Sequence, residues 1–70
     1  MDSLRDLLLL NAQSRYEIKR SNDDRYYFVL IANNNEIIAT SQMYTTKQSA
    51  KNGIESVKQH ADSEIKDLTE

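Results

Sequence analysis

The chain predicts an α+β fold: a three-stranded antiparallel β-meander with one C-terminal α-helix packed on it, plus a short N-terminal helix. Three observations carry this expectation. Tyr16-Glu17-Ile18-Lys19 alternates apolar and polar, the two-residue period of a half-buried strand. Ser21-Asn22-Asp23-Asp24 and Asn33-Asn34-Asn35 are runs of turn-forming residues set between apolar stretches. Ala50, Ile54, Val57 and Ala61 recur at helical spacing behind a pair of threonines.

Residues 1–12 read as a helix. Leu4, Leu7 and Leu8 share one face at helical spacing, and Leu9 and Leu10 widen it, so the segment is apolar over much of its circumference and needs a cover. The first strand starts near Arg15 and ends before the Ser21–Asp24 turn. The second runs from Arg25 to Ala32 and closes on three asparagines, a residue type that tolerates the positive φ of hairpin loops. Glu36 to about Gln42 supplies the third strand. Thr45 is the expected N-cap of the final helix, with Gln48 completing a capping box. Ile65 and Leu68 prolong its apolar stripe, so a single helix with a fraying tail is preferred over a stop at Ala61 before Asp62-Ser63. The single glycine, Gly53, adjoins that stripe and costs about 1 kcal/mol relative to alanine in a helix interior. Close approach of helix to sheet, where a β-carbon would clash, is the expected compensation. The chain thus divides into a helical extension, 1–14, and a β-β-β-α domain, 15–70.

The second strand carries more apolar surface than one helix can hide. Tyr26, Phe28, Leu30 and Ala32 form one face, and Tyr27, Val29 and Ile31 form the other. An antiparallel sheet covered once is apolar on one side and polar on the other. Two covers are therefore expected: the helix, and either the leading leucines or a second copy of the chain. Hiding Tyr27, Val29 and Ile31 at about 25 cal/mol per Å² would contribute several kcal/mol as an upper bound.

Composition narrows the function. Seventy residues allow one domain with a marginal core, and the absence of cysteine removes disulfides and thiolate metal sites as a remedy. Oligomerisation is the expected remedy. Eleven acidic against nine basic residues leave a net charge of −2, which argues against a general polyanion binder. No apolar run approaches the roughly 20 residues of a membrane span. With no cysteine and no signal-peptide pattern, a cytoplasmic location is the expectation.

The run from Tyr16 to Ala61 resembles the YegP-like family of small bacterial proteins. Tyr16, Ile18, Phe28, Leu30, Ala32, Glu36 to Ser41, Tyr44 and Ser49 to Lys58 carry the resemblance. It implies a β-β-β-α unit that occurs singly or as a tandem duplicate, and hence a homodimer for a single unit. It implies no established activity and supplies no catalytic residues. The chain departs from the family pattern in its leading leucine segment, and at Val29 and Ile31, where relatives commonly carry basic residues.

Chemistry is sparse. His60 is the only histidine and stands near the helix end without an obvious partner. Asp23-Asp24 lacks the further oxygen ligands of a calcium loop, and one glycine cannot build a phosphate loop. No catalytic, metal or cofactor site is expected, and the chain is read as no enzyme. The expected function is a non-enzymatic interaction module acting through homodimerisation and binding of an unidentified protein, such as regulation or inhibition of a larger complex. Leu7, Leu8, Leu10, Tyr27, Val29 and Ile31 are the candidate interface. The alternative is nucleic-acid binding, with tyrosines stacking on bases and Arg15, Lys19, Arg20 and Arg25 meeting phosphates. The net acidity and the shared core face of Tyr16 and Tyr26 weigh against it.

Overall fold

Arg15–Arg20, Tyr26–Ile31 and Ile37–Thr40 form strands β1, β2 and β3, and Lys47–Gln59 forms helix α1. The computed structural model describes residues 13–69; the helix expected over 1–12, with Leu7, Leu8 and Leu10, lies outside the described residues. The sheet has the order β1-β2-β3, antiparallel throughout. The meander and the helix behind it are the α+β architecture that the alternation and turn residues predict.

Both turns place one residue at positive φ: Asp24 at 64° and Asn35 at 69°. Aspartate and asparagine are the side chains that accept this region at least cost, which is why hairpins close at these points. In the first turn the Ser21 hydroxyl donates to Asp23, and Arg25 Nε donates to Asp23 Oδ2 at 2.8 Å. In the second, the Glu36 amide donates to Asn34 Oδ1 at 3.1 Å.

Register sorts the side chains. Tyr16 lies opposite Leu30 and Ile18 opposite Phe28, on the face that meets α1. Arg15, Glu17 and Lys19 lie opposite Ile31, Val29 and Tyr27 on the other face. Under the helix, Phe28 meets Tyr16 edge-on at 5.9 Å between ring centroids and stacks on Tyr44 at 6.1 Å. Ala50 and Ile54 close this core from α1. Gly53 sits between them, and a β-carbon there would stand 2.8 Å from Tyr44 Cζ and 3.0 Å from Phe28 Cε2. The expected close approach is present.

Two helix boundaries differ from expectation. Thr46, not Thr45, is the N-cap: its hydroxyl accepts from the Ser49 amide at 3.0 Å, so Ser49 rather than Gln48 holds the third helical position. The helix also stops at Gln59 rather than running through Ile65 and Leu68. The His60 amide donates to the Ser56 and Val57 carbonyls, and Ser63 turns back with its amide and hydroxyl on the His60 carbonyl. Serine satisfies local backbone groups outside a helix more readily than within one, and Ser63 holds the turn that follows the helix end. Val57, expected on the buried stripe, is exposed.

Candidate interaction surface

The face of β2 opposite α1 is buried. Tyr27, Val29 and Ile31 come together on it as alternation predicts, with Val29 only 2% and Ile31 only 5% exposed within one chain and Tyr27 half-buried. Beside them on β1, Arg15 Nε donates to Glu17 Oε2 at 2.8 Å and Lys19 Nζ lies 3.9 Å from Glu17 Oε1. This row borders the apolar patch with paired charge, so it remains solvated at the sheet edge.

The four candidate phosphate contacts do not converge. Arg15 and Lys19 share the face just described and lean on Glu17. Arg20 stands on the helix-side face opposite Tyr26, donates Nη2 to its hydroxyl at 2.8 Å and lies 5.4 Å from its ring centroid. Its pKa is raised, by the Tyr26 hydrogen bond first and then by the fields of Tyr26 and Asp24. Arg25 is held in the turn by Asp23. Three of these cations therefore have a carboxylate within ion-pair distance, and the set is spread over two faces and a loop.

A different surface is open. β3 is an edge strand, exposed at all four residues, and α1 packs on β1 and β2 without touching it. Ile31 pairs with Ile37 and Leu30 with Ala39, which makes Ile38 the extra residue of a bulge. The bulge leaves both isoleucines in water. Beyond β3 the chain stays near β2 through Tyr26 and Tyr44, which exchange backbone hydrogen bonds of 2.8 and 2.6 Å. The segment after Ser63 is neither helix nor strand, and in it Ile65 is 95% and Leu68 88% exposed. Reading these two as helix residues hid them as surface residues. The signal against that reading was the Asp62-Ser63 stop ahead of them.

A family model described as a domain of unknown function, DUF1508, matches residues 21–67. The chain belongs to this family. It is 47% identical over 58 residues to UPF0339 protein YegP of Escherichia coli K12, covering 81% of this chain and 53% of that protein. It is 55% identical over 42 residues to a UPF0339 protein of Shewanella oneidensis, covering 60% of this chain and 38% of the relative. The chain thus spans about half the length, or less, of these curated relatives. A protein from Haloferax volcanii solved by NMR in solution superposes with a TM-score of 0.73 at 34% identity, over 80% of this chain and 97% of that one.

In this YegP-like chain, His60 serves as a helix stop. Its Nδ1 lies 2.7 Å from the Ser56 carbonyl oxygen, and since a carbonyl only accepts, Nδ1 carries the proton and donates. Asp23 is held below the ordinary carboxylate range, chiefly by the Ser21 hydroxyl and then by Arg25, and Asp67 is lowered by Thr69. These are turn hydrogen bonds at exposed carboxylates. Among the described residues no cluster of three potential metal ligands occurs, and no helix is long and apolar enough to cross a membrane.

Proposed function

We propose that this YegP-like domain is a non-enzymatic interaction module of the cytoplasm that works by associating with a second copy of itself, and through that assembly with another protein. One observation carries the reading. Among the described residues five hydrophobic side chains are buried, Phe28, Val29, Ile31, Ala50 and Ile54, while six large ones are exposed, Ile37, Ile38, Met43, Val57, Ile65 and Leu68. A single exposed leucine needs no explanation, but an uncovered edge strand with adjacent isoleucines is a ready pairing site that lone domains normally blunt with charge or proline.

Two facts support a like partner. The domain is small enough that its own core is marginal, which association would offset. The curated relatives are about twice the length matched here, room for a second unit beside the first. The absence of cysteine supports the cytoplasmic placement. The interaction reading is preferred to nucleic-acid binding because the candidate cations are mostly paired and do not share a face.

Sedimentation velocity of the unmodified chain over a hundredfold concentration range tests the reading. A concentration-dependent shift from monomer to dimer is expected, with dimer dominant in the micromolar range. A monomer at every concentration overturns it.

A further inference from the structure

The two edges of the sheet, β1 and β3, differ in what they show to an incoming strand. β1 is charged at Arg15, Glu17, Lys19 and Arg20, four of its six residues, which discourages further pairing. Ile37–Thr40 has neither charge nor proline and is exposed at every residue. Its outward backbone is also free. The Ser41 amide donates to the Phe28 carbonyl at 2.9 Å and the Phe28 amide to Ser41 Oγ, so these two residues are hydrogen-bonded partners. Bonded and non-bonded pairs alternate along an antiparallel ladder, so Thr40, opposite Val29, turns its N–H and C=O away from β2. Ile38, two residues back, is the extra residue of the bulge and has no β2 partner. Glu36, by contrast, has its amide on Asn34 and its carbonyl on the Ala32 amide. Within β3 the open edge is therefore Ile38 and Thr40, with Ala39 between them.

We propose that β3 pairs antiparallel with β3 of a second copy, about a two-fold axis at Ala39, joining the two sheets edge to edge. The proposal rests on the self-association proposed above and gives it a contact and a register. Ile38 of each copy comes opposite Thr40 of the other, so the two open residues exchange donors and acceptors in both directions. Centring the pair on Ile38 would set Thr40 against Glu36, whose backbone groups are already used. Centring it on Thr40 would set Ile38 against Gln42, which lies beyond the strand and whose carbonyl accepts from the Ser41 hydroxyl. The Ala39 register also brings Glu36 opposite Gln42 of the second copy, so no like charges face each other. A strand without charge presents nothing that selects a different partner electrostatically, whereas its own copy complements it. The helices do not obstruct the pairing, because α1 lies over β1 and β2 and does not touch β3. The axis runs perpendicular to the sheet, so both copies of α1 stand on the same face, with the paired β3 strands between them.

The chain has no cysteine, so single cysteine substitutions report the register by cross-linking. Ala39→Cys places its two thiols on a non-hydrogen-bonded pair, about 4.5 Å apart at Cα and within reach of a disulfide. In Ile38→Cys or Thr40→Cys the two positions are offset by two residues along the strands, about 8 Å apart and beyond that reach. Under mild oxidation of the full chain, Ala39→Cys is expected to form covalent dimer at least about tenfold faster than either. Faster cross-linking at Ile38→Cys or Thr40→Cys, or equal rates at all three, would overturn the proposal. In the unmodified chain, the Ile38 and Thr40 amides should exchange with solvent several-fold more slowly at concentrations where sedimentation finds dimer. Unchanged exchange of both amides in the dimer would overturn this contact and leave self-association standing. A chain that sediments as monomer at every concentration would overturn both together.

Discussion

The Tyr44 hydroxyl occupies the space where a β-carbon on Gly53 would have to go. The ring that carries it stacks on Phe28, and Phe28 is itself within 3.0 Å of the same point, so neither neighbour has an easy way out. This one glycine sets how closely α1 approaches the sheet.

Gly53→Ala is accordingly expected to destabilise the domain, against the trend for exposed helix positions. Overpacking costs about 1–3 kcal/mol, more than the roughly 1 kcal/mol that alanine gains in helix propensity. Urea denaturation should show a lower midpoint. In a Tyr44→Phe background the cost should shrink, with a coupling of at least about 0.5 kcal/mol in the double-mutant cycle. A more stable Gly53→Ala variant would show that the approach is looser than described.

Replacing Ile65 and Leu68 together by aspartate should separate association from folding. Both side chains stand in water, so the stability of the isolated unit should change by no more than about 0.5 kcal/mol. The dimer constant should weaken at least tenfold in sedimentation, because two charges would enter an apolar contact. Unchanged association would place the contact on β3 alone.

The helix N-cap can be located by two alanine substitutions. Thr46→Ala removes the acceptor of the Ser49 amide and should cost about 1 kcal/mol. Thr45→Ala should stay within about 0.5 kcal/mol. Thermal melts of the two variants side by side are sufficient, and the reverse order would restore the cap to Thr45.

The first turn should contribute to acid sensitivity. Asp23 has a lowered pKa in the folded chain, with the Ser21 hydroxyl as the leading cause. A lowered folded-state pKa gives stability that is present above the unfolded value, near pH 4, and is lost as pH falls through the native value. Carboxyl chemical shifts followed from pH 6 to 2 should place the Asp23 midpoint below the ordinary aspartate value, near pH 4. Ser21→Ala should move it upward and flatten the acid limb of the stability curve. An unmoved midpoint would show that the hydroxyl is not the cause.

Much of this molecule was legible in the residues themselves. The alternation of Tyr16 and Ile18, the turn chemistry that puts Asp24 and Asn35 at positive φ, and the lone glycine on the inner side of α1 all act locally, so a sequence states them directly. The two apolar faces of β2 were equally plain from its period. Periodicity records which side chains share a face, but whether that face finds a cover depends on where other elements come to rest. That is why Val57 and the two tail residues, Ile65 and Leu68, read as core and stand in water, whereas Val29 and Ile31 are sealed within one chain. The helix lies over β1 and β2 and misses β3, and Gly53 lets it settle closely on Phe28 and Tyr44. That seating is a matter of three-dimensional fit among residues far apart in the chain, and it leaves the edge strand exposed, as the tail is at Ile65 and Leu68.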